Sequence, residues 1–179
     1  DLMAGLPGQG MASYRRTLER VVALSPEHIS AYSLILEEGT PLYVNQNAYR
    51  FPDEDEDREM YELTGTVLGE AGFHRYEISN YARPGYECRH NIGYWTGVDY
   101  LGLGLGASSY IGGFRYHNVT ELREYLSLDL KVAGAAARDI KELTLEEKME
   151  EFMFLGLRMM RGVSGNDFLG RFGRNMWKL

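Results

Sequence analysis

The opening segment constrains the fold most. Asp1 to Ala4 reads as the end of a strand, and Gly5-Leu6-Pro7-Gly8-Gln9-Gly10 is turn chemistry. Met11, Tyr14, Leu18, Val21 and Val22 then recur at helical spacing until Ser25-Pro26 stops the helix. His28 to Leu36, HISAYSLIL, is short, β-branched and apolar, which predicts a buried strand closed by Glu37-Glu38-Gly39-Thr40-Pro41. A strand returning after a helix implies a parallel βαβ unit with a right-handed crossover, hence an α/β fold. Ligands of such sheets gather beyond the carboxyl ends of the strands, here Asp1 to Gly8 and Leu36 to Pro41.

The acidic run Asp53-Glu54-Asp55-Glu56-Asp57 could bind a cation, but Met60, Thr64, Val67, Leu68 and Ala71 follow at helical spacing and Gly72 supplies a stop. Carboxylates favour the positive end of a helix dipole, and the glycine and alternating ligands of a calcium loop are missing. The run therefore predicts a solvated helix N-terminus. Phe73 to Tyr81 alternates like a further strand.

Charge and composition narrow the partners. A net charge of −7 with no basic stripe excludes a nucleic-acid role, because no patch could release phosphate counterions. One cysteine rules out a disulfide framework and fits a reducing cytosol, which points to a cytoplasmic protein. No apolar run approaches the ~18 residues of a membrane span. The sequence begins at Asp1 without an initiator methionine and stops just after a helical pattern, so it is expected to be an excised piece.

Tyr86 to Trp95, YECRHNIGYW, holds the sole cysteine, one of four histidines and one of two tryptophans, behind an Arg-Pro-Gly turn. It reads as a loop. In Asp99 to Ile111, DYLGLGLGASSYI, Leu101, Leu103 and Leu105 would line one face of a strand while Gly102, Gly104 and Gly106 leave the other bare. Bare backbone marks either close packing under a neighbouring element or direct ligand contact, and the pattern leaves both open. A dinucleotide fingerprint is excluded, since that motif must open a helix and Gly112-Gly113 instead predicts a two-residue hairpin turn into Phe114 to Asn118.

Leu122, Tyr125 and Leu126 predict a helix, and Gly134-Ala135-Ala136-Ala137 predicts a linker at a domain boundary. Thr144-Leu145-Glu146-Glu147 is a capping box opening a helix that carries Met149, Phe152, Met153, Leu155, Met159 and Met160 and ends at Gly162, with Ser164 capping one more. Methionine on that face reads as adaptable core rather than a cofactor box.

Taken in order, DLMAGLPGQ, HISAYSLILEEGTPLY, YEISNYARPGYECRHNIGYW and YLGLGLGASSYIGGFRYHN resemble the C-terminal part of the HemW-type haem chaperones, radical-SAM proteins related to oxygen-independent coproporphyrinogen III oxidase. The resemblance implies the C-terminal part of a partial (βα)6 barrel with its strand extension over residues 1–130, followed by the start of a truncated helical domain over 131–179. It implies S-adenosylmethionine, a 4Fe–4S cluster and haem as cofactors. Asp1, closing the fifth barrel strand, Ile35 on the sixth and Ser108 after the glycine segment resemble S-adenosylmethionine contacts. His90, Asn91, Tyr94 and Trp95 match the His-Asn-x-x-Tyr-Trp motif of the haem-binding members, with His90 as axial ligand to the haem iron and Asn91 orienting its ring.

The family holds its cluster with a CxxxCxxC loop, and Cys88 alone cannot replace three thiolates, so this chain by itself is expected to be inactive. Cys88 reads as an incidental small residue, since with His90 it lacks the further ligands a zinc site needs. Three functions follow: a haem-trafficking radical-SAM protein serving a haem-acceptor protein, an oxygen-independent coproporphyrinogen III oxidase decarboxylating a porphyrin precursor, and a non-catalytic interaction domain. The His90 motif favours the first.

Overall fold

A computed structural model describes residues 1–129 and 131–178, which form two compact units, one from Asp1 to Cys88 and one from Arg89 onward. The first contains β1 (Leu2–Ala4), α1 (Met11–Ala23), β2 (His28–Ser33), the short α2 (Pro41–Val44), α3 (Glu54–Glu70), β3 (His74–Arg75) and β4 (Asn80–Ala82). Its sheet runs β1-β2-β4-β3. β1 and β2 are parallel, with Leu2 opposite Ala31 and Ala4 opposite Ser33, so the expected βαβ unit is present.

Side chains alternate across this sheet. Leu2, Ala4, Ile29, Ala31 and Tyr81 face α1 and α3, where Tyr14, Leu18, Met60, Leu63, Val67 and Leu68 complete the core. A buried hydroxyl pair ties the two helices together, Tyr14 Oη lying 2.8 Å from Thr64 Oγ1. Thr64 Oγ1 donates its own hydrogen to Met60 O at 2.8 Å, so Tyr14 is the donor between them. Burial raises the Tyr14 phenol above its ordinary value, with the Thr64 contact opposing, and the group stays a donor. On the opposite face Ser30 Oγ donates to Asn80 Oδ1 at 2.5 Å, and Asn80 Nδ2 donates to Oε1 of the fully buried Glu77.

The acidic run opens α3 as expected. Asp53 accepts from Glu56 N at 2.9 Å while Glu56 accepts from Asp53 N at 3.2 Å, and the chain leaves the helix through Gly72 at φ +85°. Phe73 to Tyr81 is not one strand. The Glu77 carboxylate accepts Ser79 N–H at 3.2 Å and Tyr76 N–H reaches Asn80 O at 3.2 Å, which turns the chain and folds β3 back on β4. β2 is also shorter than the apolar run, ending at Ser33.

The second unit contains α4 (Arg89–Thr96), β5 (Ser108–Ile111), β6 (Phe114–Asn118), α5 (Leu122–Ser127), β7 (Ala137–Glu142), α6 (Leu145–Gly156) and α7 (Gly165–Phe172). Its antiparallel sheet runs β5-β6-β7. Gly112 and Gly113, at φ +60° and +87°, make the expected two-residue turn with Ile111 opposite Phe114. The Gly134 to Ala137 stretch leads into a strand instead of acting as a linker: β7 pairs along β6 across a register shift between Arg115 and His117.

Leu101 to Gly106 is not a strand. Gly104 and Gly106 adopt φ +99° and +66°, outside the β region, and the side chain of Asn118 donates to both Gly102 O (3.2 Å) and Gly104 O (2.8 Å). A Cβ on Gly102 would stand 2.3 Å from Ser108 O, so bare backbone there serves close packing against β5. The Thr144 capping box opens α6, but the helix ends at Gly156 and not Gly162, because a Cβ on Gly156 would stand 2.4 Å from Val163 Cγ1 as the chain turns back. Ser164 caps α7, and Phe152 packs edge to face on Phe168 at 5.4 Å and Phe172 at 5.7 Å, while Phe168 and Phe172 meet tilted at 4.8 Å.

Two outcomes are expected. Gly102→Ala loses about 1–3 kcal/mol of stability in urea unfolding, because the obstructing atoms are backbone. Gly65→Ala, in the interior of α3 with open space where the Cβ would stand, gains about 0.5–1 kcal/mol. A further outcome concerns His117, whose Nδ1 lies 2.8 Å from Asn118 O and Nε2 2.8 Å from Asp139 Oδ2. Those contacts raise its pKa, the backbone carbonyl first and Asp139 next. A raised folded-state value gives stability that is complete below the unfolded value of about 6.5 and fades as pH rises through the higher folded one. His117→Gln should flatten the pH dependence of the melting temperature above about pH 6.5, and an unchanged slope would contradict the assignment.

Candidate functional site

His90, Asn91, Tyr94 and Trp95 lie on α4, not in the loop expected from the sequence. The turn at Gly85, φ +87°, precedes the helix, and its far end is closed by a residue distant in sequence: Arg171 donates to Thr96 O at 3.0 Å and Gly97 O at 3.1 Å. Successive helical residues project about 100° apart, so the four side chains divide into two pairs. His90 and Tyr94 share one face, with rings edge to face at 4.5 Å and 72°. Asn91 and Trp95 share the next.

The His90 face borders a shallow hollow lined by His90, Gly93, Tyr94, Val98, Asp99 and Tyr100. Tyr94 in turn meets Tyr100 edge to face at 4.5 Å and 85°. Trp95 is turned elsewhere, half-buried beneath the guanidinium of Arg158 at 4.3 Å, and its Nε1 has no hydrogen-bond acceptor among the described residues. Asn91 makes no hydrogen bond to His90, as adjacent helical positions do not face each other.

Each of the other three histidines has a ring nitrogen engaged. His28 Nε2 lies 2.8 Å from Tyr76 Oη, His74 Nε2 lies 2.8 Å from Glu87, and His117 is held at both nitrogens. Burial lowers the His28 pKa, with Glu77 opposing. His90 is exposed, and among the described residues neither of its ring nitrogens has a hydrogen-bond partner. An imidazole in that state offers a lone pair to a metal without first breaking a contact.

Of the residues expected at S-adenosylmethionine, Asp1 and Ile35 stand at other points of their strands than expected, while Ser108 follows the glycine segment. Asp1 precedes β1 and so stands at its amino end, not its close, exposed and level with Ser30 by continuation of the register. Ile35 lies past the end of β2 and is also exposed. These two are roughly 15 Å apart along the strand direction. Ser108, exposed, is the first residue of β5 in the second unit and pairs with His117. Cys88 has its backbone N–H on Tyr76 Oη at 3.3 Å. Among the described residues no three His, Cys, Asp or Glu side chains gather to hold an ion. A 4Fe–4S cluster takes Cys thiolates as ligands, so one cysteine does not fit that group.

Sequence reasoning missed Tyr100 and Arg158. Arg158 reaches Trp95 from far along the chain, and Tyr100 meets Tyr94 from just past the turn at Gly97; neither stands at a spacing from the motif that periodicity could detect.

Comparisons with known proteins follow the same outline. Residues 143–179 match the HemN C-terminal domain family. Over 98% of its length the chain is 41% identical to the haem chaperone HemW of Bacillus subtilis (strain 168), covering 47% of that protein. It is 39% identical over its whole length to HemW of Lactococcus lactis, again covering 47%. The chain is thus similar to the C-terminal part of the HemW-type, HemN-related proteins. A protein of Danio rerio, radical S-adenosyl methionine domain-containing protein 1, mitochondrial, is 34% identical over 92% of the chain. In three dimensions the fold is shared with coproporphyrinogen III oxidase (HemN) from Escherichia coli, a radical SAM enzyme, at a TM-score of 0.76 and 22% identity over 97% of this chain and 43% of that one. The chain thus spans about half the length of the curated relatives it matches, 47% of the first two. No helix among the described residues is long and apolar enough to cross a membrane.

Iron–sulfur reconstitution of the 179-residue chain is expected to give no stable cluster absorbance near 400 nm. A stable signal with about four irons per chain would show that ligands other than thiolates suffice.

Proposed function

We propose that this sequence is the haem-presenting part of a haem-trafficking protein of the radical-SAM superfamily, with His90 as axial ligand to the haem iron. One observation carries the reading: of four histidines, His90 alone has both ring nitrogens unengaged among the described residues, and it sits beside aromatic rings on a helix. Neutral imidazole is a standard axial ligand, and Tyr94 offers an apolar face to a flat macrocycle. Haem here is cargo. Trp95, stacked under Arg158, supports the helix from behind instead of meeting the porphyrin, and Asn91 contributes its exposed edge.

The parallel pair β1 and β2, with helices on one face and a hydrogen-bonded polar row on the other, supports residues 1–130 as the C-terminal part of a partial (βα)6 barrel with its strand extension. The HemN C-terminal match beginning at residue 143 supports residues 131–179 as the start of a helical domain. In the full-length protein S-adenosylmethionine would be held with help from Asp1, Ile35 and Ser108, and the cluster by cysteines outside this chain. A cytoplasmic location and a haem-acceptor protein complete the reading.

Oxidative decarboxylation of coproporphyrinogen is the second reading, favoured by the fold of the E. coli enzyme, but identity to that enzyme is 22% against 41% and 39% to proteins named haem chaperones. Incubating the reduced, cluster-loaded full-length protein with coproporphyrinogen and S-adenosylmethionine separates them: decarboxylated product would overturn the trafficking role. In a haem titration, His90→Ala should weaken binding by at least about tenfold and shift the Soret band, while the same change at His28, His74 or His117 leaves the spectrum alone. Wild-type affinity in His90→Ala would remove His90 from the site, and a full-length protein that bound neither haem nor S-adenosylmethionine would leave only an interaction domain.

A further inference from the structure

Among the described residues His90 has no hydrogen bond that would fix its ring, yet an axial ligand works best with its plane fixed in advance. Metal-bound histidines usually gain that orientation from a carboxylate or carbonyl on the second nitrogen. Here the ring contact to Tyr94 at 4.5 Å is what constrains it, so the orientation of His90 depends on what holds Tyr94.

Tyr94 rests edge to face on Tyr100 at 4.5 Å, and Tyr100 is clamped at both ends. Its backbone bridges Tyr110 on β5, N–H to O at 2.7 Å in one direction and 2.9 Å in the other. Its hydroxyl accepts from Arg115 Nη1 at 3.1 Å. Arg115 is itself immobilised: Nε and Nη2 donate to the two carboxylate oxygens of Glu151 on α6 at 2.7 and 2.6 Å, and the guanidinium lies 4.7 Å over the Tyr110 ring. A bidentate, charge-assisted pair is among the most directional contacts available to side chains. A continuous set of contacts therefore runs from Glu151 on α6 and the Arg115 fork on β6, through the rings of Tyr100 and Tyr94, to the exposed imidazole on α4.

We propose that Tyr100, clamped by Arg115 and Glu151, is a positioning residue for His90: it fixes the plane of Tyr94 and through it the orientation in which the imidazole meets the haem iron. The inference rests on His90 being the axial ligand. A purely structural role predicts that removing Tyr100 loosens the unit whether or not His90 is present. A positioning role predicts that its effect on haem requires His90.

The test is a double-mutant cycle in the full-length protein, read by Soret titration and by electron paramagnetic resonance of the ferric haem complex. Tyr100→Phe keeps the ring and releases it from Arg115; haem affinity should fall about threefold and the low-spin signal should broaden. Tyr100→Leu should cost about tenfold. Both effects should vanish in the His90→Ala background. Arg115→Lys, which keeps the charge and loses the fork, should reproduce Tyr100→Phe, and it carries the test with Tyr100→Phe should Tyr100→Leu fail to fold by circular dichroism. Equal losses with and without His90, or wild-type affinity and signal in Tyr100→Phe and Arg115→Lys, would overturn the proposal. Those results beside an active His90→Ala phenotype would leave the haem reading standing, whereas a silent His90→Ala would remove both.

Discussion

The second unit is organised around the Arg115–Glu151 pair. It joins the middle of β6 to α6, with both side chains largely withdrawn from solvent, and it draws Tyr100 and Tyr110 into the same cluster. Breaking such a pair by removing one partner is costlier than the pair's net worth, because the remaining charge stays desolvated. Glu151 holds the Arg115 guanidinium far above its ordinary value, so the fork is charged at every pH the protein meets. A titratable cation in that place would make the sheet–helix junction pH-dependent, and arginine avoids this.

Legibility in the sequence followed the range of the interactions. The Asp53 and Thr144 capping boxes, the Gly112-Gly113 hairpin and the βαβ start each depend on contacts within a few residues or on one strand's composition, and all were predictable. β7 was not. Its residues, ARDIKE, show no apolar alternation and are largely exposed, as suits an edge strand, so only pairing with β6 creates it. The helix at Arg89–Thr96 was hidden because Arg171 caps it from far along the chain. The Leu-Gly alternation over 101–106 misled for the converse reason: a period-two pattern implies a strand only if the glycines accept β-region angles, and Asn118 holds two of their carbonyls in another arrangement.

The first unit separates its two sheet faces by chemistry. One face is an apolar core with α1 and α3, and the other is a chain of donors and acceptors from Ser30 through Asn80 to Glu77. Glu77 is fully buried with one carboxylate oxygen bonded twice and the other without a partner among the described residues. A half-satisfied buried carboxylate is a strong constraint on the β3–β4 turn, since any displacement that broke its remaining hydrogen bonds would expose the full desolvation cost. The turn is thus specified by polar groups where apolar packing could not specify it.

The motif residues around His90 gain their meaning from that same separation of roles. Four histidines are distributed over the chain, and a sequence alone gives each an equal claim to a metal except through family resemblance. The folded chain removes three. His117 has both nitrogens engaged and is biased toward its cation, a form with no lone pair to give. His74 is committed to Glu87, and His28 shares its nitrogen with the Tyr76 hydroxyl, which also receives Cys88 N–H. Among the described residues His90 is left with free nitrogens, on a helix whose aromatic support runs back to a fixed guanidinium. On the proposed haem reading, the ligand would be selected by the partners the other histidines have, and its geometry by the rings beneath it.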